Sequence, residues 1–379
     1  MATILITGGT GTIGSPLTAA LKRAGHKLVF LVRAGTLEAG AKRVASSLDL
    51  DREDILLLGD VTLPGCGVRP KDGLSGLQGK VDKMFHCAAS INFEPKSTDE
   101  VRTTNIRGTK NALELATWLG VPEFHHCSTL YIAGNADVFR EDDFNVGQSF
   151  RNAYEFSKFE AERLVRSAWG GKYTIYRLGI VVGDSLTGRI SSFHGFYRAF
   201  LGFWELYKFL LARWKEDKLS YKEHGVFFDS QEVCHLPMRI QVSPSAPLSL
   251  TPVDWVISQL TCLMEENAAN KVHHISPSNP PLTKWLVAAS LETLKFKDFI
   301  LTGEEFEPRN DFIGKLEKKI RRDIRLYQPY IMHEAEFHRE QENGSRYDFS
   351  PDLLMRLLNY AKSRNFGRKS GKETGGLPS

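Results

Sequence analysis

The sequence predicts an α/β protein in which a doubly wound parallel sheet is joined to a smaller, mostly helical lobe. The apolar run Ile4–Ile6 leads into a glycine-rich turn, and apolar residues then recur at helical spacing. Short apolar segments alternate with helical patterns as far as residue 185, as in sheets covered by helices on both faces. Beyond residue 188 the alternation stops, so we expect a separate helical lobe there.

The individual elements follow from the same patterns. Strands are predicted at Ile4–Ile6, Lys27–Val32, Ile55–Leu58, Val81–His86 and Phe124–Cys127. Helices are predicted after the glycine turn, at Asn105–Leu119, from Tyr154 to Ala168 and beginning with the segment Thr251–Trp255. His273 and His274 lie in a short returning strand and would point to opposite faces, so we expect no metal site there.

Composition excludes several classes of protein. Hydrophobic residues make up 42% and charged residues 25%, which is typical of a globular protein, and a net charge of +4 gives no reason to expect nucleic acid binding. The five cysteines are scattered without metal-ligand spacing, so we expect buried, reduced thiols. Strand-forming residues begin at position 3, no apolar stretch reaches transmembrane length, and we expect a cytoplasmic protein.

The glycine-rich turn predicts a dinucleotide site. Gly8, Gly11 and Gly14 are separated by two residues each and stand between a strand and a helix. The first glycine permits the tight turn, the second lets backbone N–H groups approach a pyrophosphate, and the third lets the helix lie close to the strand. The residues expected to hold the cofactor here are Gly8, Thr10, Gly11, Thr12, Ile13 and Gly14.

The end of the second strand favours NADP(H) over NAD(H). Dinucleotide folds that bind NAD carry an acidic residue about twenty positions after the glycines, where it accepts hydrogen bonds from the ribose. Arg33 stands there instead, and its guanidinium matches a 2′-phosphate. Arg43 on the following helix is expected to assist; the alternative is that Arg33 is a solvated strand-end side chain. Asp60, next to Val61, is expected to bind the adenine amino group.

A second set of residues indicates carbonyl chemistry. Tyr154 and Lys158 are four apart and share one face of a predicted helix. An ammonium near a phenol favours the phenolate, so Lys158 is expected to lower the pKa of Tyr154 and also to hold the nicotinamide ribose. Thr129, at the end of the fifth strand, is expected to bond the reacting carbonyl. The alternative is a surface helix that carries a Tyr-Lys pair by chance. It does not explain why the pair follows a glycine turn and a strand that ends in Thr129.

Taken together, these motifs resemble the extended short-chain dehydrogenase/reductase family over about residues 1–280. The resemblance rests on the turn Thr7–Gly14, Asp60-Val61, Ala88-Ala89, Asn105–Thr109 and the Tyr154/Lys158 pair. It implies catalytic roles for Thr129, Tyr154 and Lys158, and cofactor contacts from Cys87, Ala88, Ala89, Asn105, Tyr154 and Lys158.

A narrower resemblance is to the thioester reductase and fatty acyl-CoA reductase branch. It is carried by Leu31–Ala34, His86–Phe93, Cys127–Tyr131 and Arg177–Gly188. It implies NADPH-dependent reduction of acyl thioesters in lipid or secondary metabolism, with Leu178, Gly179, Ile180 and Val181 passing the nicotinamide. This sequence has Leu178 where that branch usually has proline. We expect no adenylation or carrier domain, so a thioester should arrive from outside, for example on an acyl carrier protein.

The segments are therefore assigned as follows. Residues 1–185 form the NADP(H)-binding Rossmann domain, 186–250 the first part of the substrate lobe, 251–280 the return to the Rossmann domain, 281–364 the C-terminal helical part of the lobe, and 365–379 a disordered tail. The aromatic stripe in residues 193–214 is open to three interpretations: core packing, a wall for a long apolar substrate, or a membrane-surface helix. The basic run Glu317–Arg322 is a solvated helix face or a binding surface for acidic carriers.

The resulting prediction is an NADPH-dependent reductase of a hydrophobic carbonyl substrate, with an acyl thioester favoured. Three alternatives remain open at this level. They are a ketone or alcohol oxidoreductase acting on another lipophile, a sugar-nucleotide epimerase or dehydratase, and a non-enzymatic NADP(H)-binding protein.

Overall fold

A computed structural model of the chain describes residues 1–45, 53–68, 74–266, 270–339 and 347–368. The strands, in chain order, are β1 (Thr3–Thr7), β2 (Lys27–Val32), β3 (Ile55–Leu58), β4 (Lys83–His86), β5 (Glu123–Thr129), β6 (Val138–Arg140), β7 (Lys172–Leu178), β8 (Ile180–Val182), β9 (Phe227–Phe228), β10 (Cys234–His235), β11 (Arg239–Gln241), β12 (Leu250–Pro252), β13 (Lys271–Ile275), β14 (Phe296–Lys297), β15 (Ile300–Thr302) and β16 (Glu336–His338). The helices are α1 (Gly14–Arg23), α2 (Leu37–Ala45), α3 (Thr98–Arg102), α4 (Gly108–Leu119), α5 (Ala153–Ala168), α6 (Phe196–Glu216), α7 (Lys218–Glu223), α8 (Val253–Met264), α9 (Thr283–Thr293), α10 (Phe312–Ile324), α11 (Gln328–Met332) and α12 (Pro351–Ser363).

Contacts between Cα atoms divide the chain into two units. The first comprises Met1–Val181, Val253–Ser276 and Ala335–Ser345, and the second comprises Val182–Pro252, Pro277–Glu334 and Arg346–Ser379.

The first unit is built on a seven-stranded sheet in the order β13-β7-β5-β4-β1-β2-β3, and every neighbouring pair in it is parallel. The chain builds outward from β1 in one direction through β2 and β3, and then in the other direction through β4 and β5. In such sheets ligands bind outside the carboxyl ends of the strands, where the order reverses. That position lies between β1 and β4.

Buried apolar side chains hold the central strands together, and in β1 and β2 they form continuous runs. Leu5, Val29, Met84, Phe124 and Ile175 come from five neighbouring strands, and each is at most 1% exposed. Strands buried on both faces are expected to be apolar throughout rather than alternating. Burial of each such side chain contributes about 1.5–3 kcal/mol to the free energy of folding. This stabilisation of the sheet allows polar side chains to be positioned at its carboxyl edge.

The helix before β5 is longer than the sequence predicts and is not regular. It begins at Thr98 rather than Asn105, and the residues Thr103–Arg107 between α3 and α4 form a π-helical turn. Such wide turns insert one extra residue and occur often at functional sites. The helix ends at Gly120, whose φ of 70° is the left-handed conformation that closes many helices.

The aromatic stripe of the second unit is mostly core. Phe196, Tyr197, Phe200, Phe203 and Tyr207 on α6 are each at most 5% exposed. Their rings contact aromatic partners of the same unit: Phe203 lies 6.1 Å from Phe299 and Tyr207 lies 5.8 Å from Phe296, centroid to centroid. Of the three interpretations, the packing of α6 onto a core therefore describes these positions.

Three other expectations change. Residues 365–367 were predicted to be disordered, but they form a 3₁₀ turn that buries Phe366, which is 3% exposed; the remainder of that predicted tail, from residue 369, lies outside the described residues. Short strands, which the helical patterns did not predict, also join the second unit, with β10 between β9 and β14 and β11 beside β15. Among the cysteines, all unpaired, Cys262 is exposed rather than buried.

Candidate active site

The glycine turn has the shape that a pyrophosphate cradle requires. Gly8 has a φ of 70°, and a Cβ placed on it would lie 2.7 Å from the backbone nitrogen of Ala88. A Cβ on Gly14 would overlap the carbonyl oxygen of Gly8. The Gly11 N–H donates to Gly8 O at 2.9 Å, which closes the turn just before α1 begins. Only glycine fits Gly8 and Gly14, and α1 starts with its positive end at this turn.

A cavity of about 270 Å³ opens beside the turn, at the point where the strand order reverses. Ten of the residues predicted to hold the cofactor line it: Gly8, Thr10, Gly11, Arg33, Arg43, Asp60, Val61, Cys87, Ala88 and Ala89. The sequence patterns did not single out its other lining residues: Gly9, Leu31, Val32, Gly59 and Thr104. Position alone identifies most of these, since Leu31 and Val32 end β2 and Gly59 follows β3.

At the outer end of this cavity Arg33 lies near an acidic residue. Its Nη1 is 3.8 Å from Asp60 Oδ2, and the Arg33 side chain is 70% exposed. Asp60 Oδ1 accepts hydrogen bonds from the backbone N–H and the hydroxyl of Thr62, at 2.9 and 2.8 Å. Arg43 Nη1 donates to the Arg33 carbonyl at 2.9 Å. Arg43 thus holds the backbone of Arg33, whose exposed guanidinium can turn toward a phosphate because an exposed ion pair is weak.

Asn105 holds two segments together. Its Oδ1 accepts from the Ser90 N–H at 2.8 Å, and its Nδ2 donates to Ser90 O at 2.9 Å and to Ser157 Oγ at 2.8 Å. Asn105 therefore fastens the loop after β4 to α5. It is not among the residues that line the cavity, and neither are Thr12, Ile13 and Gly14.

Thr129 and Tyr154 meet at the carboxyl edge of the same sheet. Thr129 ends β5, and its hydroxyl donates to Leu178 O at 3.2 Å and is hydrogen-bonded to the Tyr154 phenol. Tyr154 lies in the first turn of α5, which begins after Asn152, whose Oδ1 accepts from the Glu155 N–H at 3.0 Å. Burial raises the pKa of Tyr154 to about 12, although the Thr129 hydrogen bond acts in the opposite direction.

Lys158 is also at this edge, but with a different partner from the predicted one. Its Nζ donates to the Cys127 carbonyl at 2.6 Å and lies 3.5 Å from His126 Nε2. Burial lowers the pKa of Lys158 to about 8, so the ammonium remains protonated at neutral pH. The prediction that Lys158 lowers the pKa of Tyr154 is wrong for this arrangement, because burial of the phenol dominates. A raised pKa keeps the phenol protonated, as a proton donor requires.

Behind these residues lies a buried charged cluster that sequence reasoning missed. Arg177 and Glu162 are both fully buried; Arg177 Nη2 donates to Glu162 Oε1 at 2.7 Å, and Nε donates to Oε2 at 3.2 Å. Ser128, next to Thr129, donates to Glu162 Oε2 at 3.1 Å. Burial opposes ionisation of Glu162, but Arg177 and Arg166 outweigh it and lower the pKa of the carboxyl. The one signal in the sequence is spacing, since Glu162 follows Lys158 by one helical turn.

The segment after β7 completes the edge. Leu178 is 6% exposed and pairs with Thr129 across β5 and β7. The Gly179 N–H donates to Ile275 O at 3.0 Å. Ile180 and Val181, the other predicted cofactor contacts of this segment, are half-buried.

A parallel sheet in this order with a glycine cradle at its reversal point is a Rossmann-like fold of the dinucleotide-binding kind, and Thr129, Tyr154 and Lys158 lie at the same sheet edge. The sequence profile of the male sterility protein family matches residues 6–260, and the chain belongs to that family. The predicted fold class and the predicted resemblance are thereby confirmed.

The chain is also similar to a curated protein. It is 30% identical over 223 residues to the nonribosomal peptide synthetase asaC of Aspergillus flavus. This alignment covers 52% of this chain and 21% of the synthetase. The chain thus spans about a fifth of the length of that curated relative.

Solved structures share the fold. The terminal R domain of the myxalamid PKS-NRPS pathway superposes with a TM-score of 0.72 at 22% identity, over 97% of this chain and 92% of that one. A thiolation-reductase di-domain from an archaeal nonribosomal peptide synthetase gives 0.71 at 17% identity, over 97% and 76%. No helix in the described part of the chain is both long and apolar enough to cross a membrane.

Proposed function

We propose that this protein is an NADPH-dependent reductase of a hydrophobic acyl thioester, which it converts to an aldehyde or an alcohol. One observation carries the proposal: the Tyr154 phenol, hydrogen-bonded to Thr129, and the Lys158 ammonium stand at the same sheet edge as the glycine cradle. A dinucleotide suits that cradle because Gly8 and Gly14, having no Cβ, allow the close backbone approach on which a pyrophosphate-binding turn depends.

Each residue has a separate role in this proposal. Bound NADPH supplies the hydride. Thr129 orients the carbonyl oxygen of the substrate, and Tyr154 donates its phenolic proton to that oxygen. The Lys158 ammonium helps to hold the ribose. With a thioester the product of the first step is a hemithioacetal, which collapses to an aldehyde and a free thiol.

The choice of a thioester rests on the relatives. A nonribosomal peptide synthetase shares 30% of aligned residues, and the superposed structures include a terminal reductase domain and one solved together with its thiolation domain. We infer an acyl carrier protein or coenzyme A as the thiol partner. We also infer a cytoplasmic location, since the cysteines of the chain are all unpaired and disulfides persist mainly in oxidising compartments.

Purified protein with NADPH and matched acyl-CoAs, acyl carrier thioesters, aldehydes and ketones would test the reaction. We expect thioesters to be reduced with release of one free thiol per acyl group, detected with a thiol reagent. We also expect kcat/KM to rise with acyl length by up to about fourfold per methylene, from about 0.8 kcal/mol of burial each. Reduction of ketones without thioesters would instead establish the ketone or alcohol oxidoreductase.

Preference for NADPH is the second prediction. Replacement of Arg33 by alanine removes a charge-assisted contact to the 2′-phosphate, so NADPH binding should weaken by about 1.5–3 kcal/mol while NADH binding is unchanged. Fluorescence titration of both cofactors measures this difference. Arg322→Ala is a matched control, since the Arg322 side chain is 69% exposed and lies on α10. Equal affinities of the wild-type protein for NADPH and NADH would show that Arg33 is only a solvated side chain.

A further inference from the structure

Cys87, which lines the cavity beside the glycine turn, lies next to a second cysteine, Cys127. Cys87 follows β4 and Cys127 lies in β5, and the parallel register that pairs His86 with His126 places these cysteines opposite each other at the next position. Their sulfur atoms are 3.4 Å apart. Neighbouring strands are about 4.8 Å apart, which lies within the Cα separation of about 4.4–6.8 Å that a disulfide spans. A bond therefore requires the sulfur atoms to approach, with only a small shift of the two backbone segments.

We propose that Cys87 and Cys127 form a reversible disulfide, made by a peroxide oxidant, that closes the cavity to the dinucleotide. The proposal concerns a modification site and does not depend on which substrate the protein reduces.

The electrostatics of the pair favour one thiol as the attacking group. The hydrogen bond from Cys87 lowers the pKa of Cys127, although burial opposes it, and the Lys158 ammonium acts in the same direction as that hydrogen bond. The same hydrogen bond and burial raise the pKa of Cys87. Thiolate character and a positive neighbour are what make a cysteine reactive. Burial, together with the Glu114 and Asp60 carboxylates, raises the pKa of Cys66 to about 12, and burial raises that of Cys234. These two thiols are therefore expected to be inert.

The chemistry balances with hydrogen peroxide as the oxidant. The Cys127 thiolate attacks one peroxide oxygen, the O–O bond breaks, and the products are a sulfenic acid and, after protonation, one water. The Cys87 thiol then attacks the sulfenic sulfur, and its proton and the displaced hydroxide leave as a second water. Two thiols have lost two electrons and two protons, and one peroxide has become two waters. A thiol reductant reverses the change by exchange.

The position of the bond predicts its effect. Cys87 lines the cavity directly beside Ala88 and Ala89, and the backbone there is already so close to Gly8 that a Cβ would not fit between them. Cys127 supplies the carbonyl that accepts from Lys158. When the sulfur atoms move from 3.4 Å to bonding distance, both backbone segments are drawn together. The dinucleotide should then bind less well, and a bound dinucleotide should protect the thiols.

The test treats the full chain with hydrogen peroxide, alkylates free thiols after denaturation, and searches digests by mass spectrometry for a peptide that links Cys87 to Cys127. We expect the linked peptide in the wild type, its loss on reduction, and slower formation after saturation with NADP⁺. Cys87→Ser and Cys87→Ala should both lack it, and the use of two variants guards against a folding defect in one. Cys262→Ser, which removes an exposed thiol elsewhere, is the matched control and should form the link normally.

Binding is measured on the same samples. Oxidised wild-type protein should bind NADPH at least about tenfold more weakly, equivalent to the loss of one good hydrogen bond, and reduction should restore the affinity. Two results would overturn the proposal: both thiols remaining free under conditions that oxidise Cys262, or a linked peptide with unchanged NADPH affinity. Neither measurement requires turnover, so the outcome is separable from that of the thioester assay.

Discussion

Replacement of Tyr154 by phenylalanine is expected to lower kcat by about 10²–10⁴-fold, the usual contribution of a positioned general acid. The change removes the hydroxyl that bonds to Thr129 and leaves the ring, which packs 5.5 Å from the ring of Phe93, centroid to centroid. NADPH affinity should be nearly unchanged, because the phosphates are expected at the glycine turn. Single-turnover NADPH oxidation and a cofactor titration measure the two quantities separately.

The matched control for this variant is Tyr173→Phe. Tyr173 also sits near the start of an element, but at the amino end of β7, and it packs against the core of the sheet rather than at its carboxyl edge. Turnover of that variant should match the wild type. If Tyr154→Phe retained near-normal turnover, another group would be the proton donor and the role given to Tyr154 would be wrong.

The second large effect concerns stability. Arg177→Met should lower the free energy of unfolding by about 3–5 kcal/mol, because the buried Glu162 carboxylate then keeps only Arg166 as a charged partner. Besides the two bonds to Glu162, Arg177 donates to the carbonyl oxygens of Arg140 and Asp143, at 3.1 and 2.6 Å. Its loss therefore also removes these two part-buried hydrogen bonds. Urea unfolding followed by circular dichroism measures the change.

Another arginine on α5 provides the comparison. Arg163 pairs with Glu160 at 2.6 Å, but its side chain is 52% exposed. Arg163→Met should cost less than about 1 kcal/mol, because solvent screens an exposed pair. A similar loss from both variants would mean that burial does not decide the contribution of these pairs, and the argument from Arg177 would fail.

Local patterns were sufficient for much of this protein. The glycine turn, the strands β1, β2 and β3 and the helix α5 could be predicted because each depends on neighbours within a few residues. Arg33 and Asp60 were correctly expected at one edge because parallel strands present their carboxyl ends together. The same logic placed Cys87 and Thr129 at that edge.

Long-range pairing could not be predicted in the same way. Lys158 bonds to a carbonyl 31 residues earlier, and its choice of that acceptor depends on how α5 lies on β5. Burial, which raises the pKa of Tyr154, is likewise a property of the packed structure. The Cys87–Cys127 contact joins residues 40 apart, and it exists only because β4 and β5 pair in one particular register. A shift of the register by one residue would turn one of the two side chains to the opposite face.

The π-helical turn at Thr103–Arg107 joins α3 and α4 into one continuous helix, but the side chains of its two halves face directions that differ from those of a regular α-helix. Each residue turns an α-helix by about 100° about its axis. The extra residue therefore rotates the side chains of α4 about the helix axis relative to those of α3. On one side α3 packs against α5, and beyond the turn Thr109 Oγ1 lies 3.1 Å from His86 Nε2 at the end of β4. Loss of one residue there would turn both contacts out of phase together. The length of this stretch is therefore fixed by geometry from both ends, and substitutions should be tolerated within it more readily than deletions.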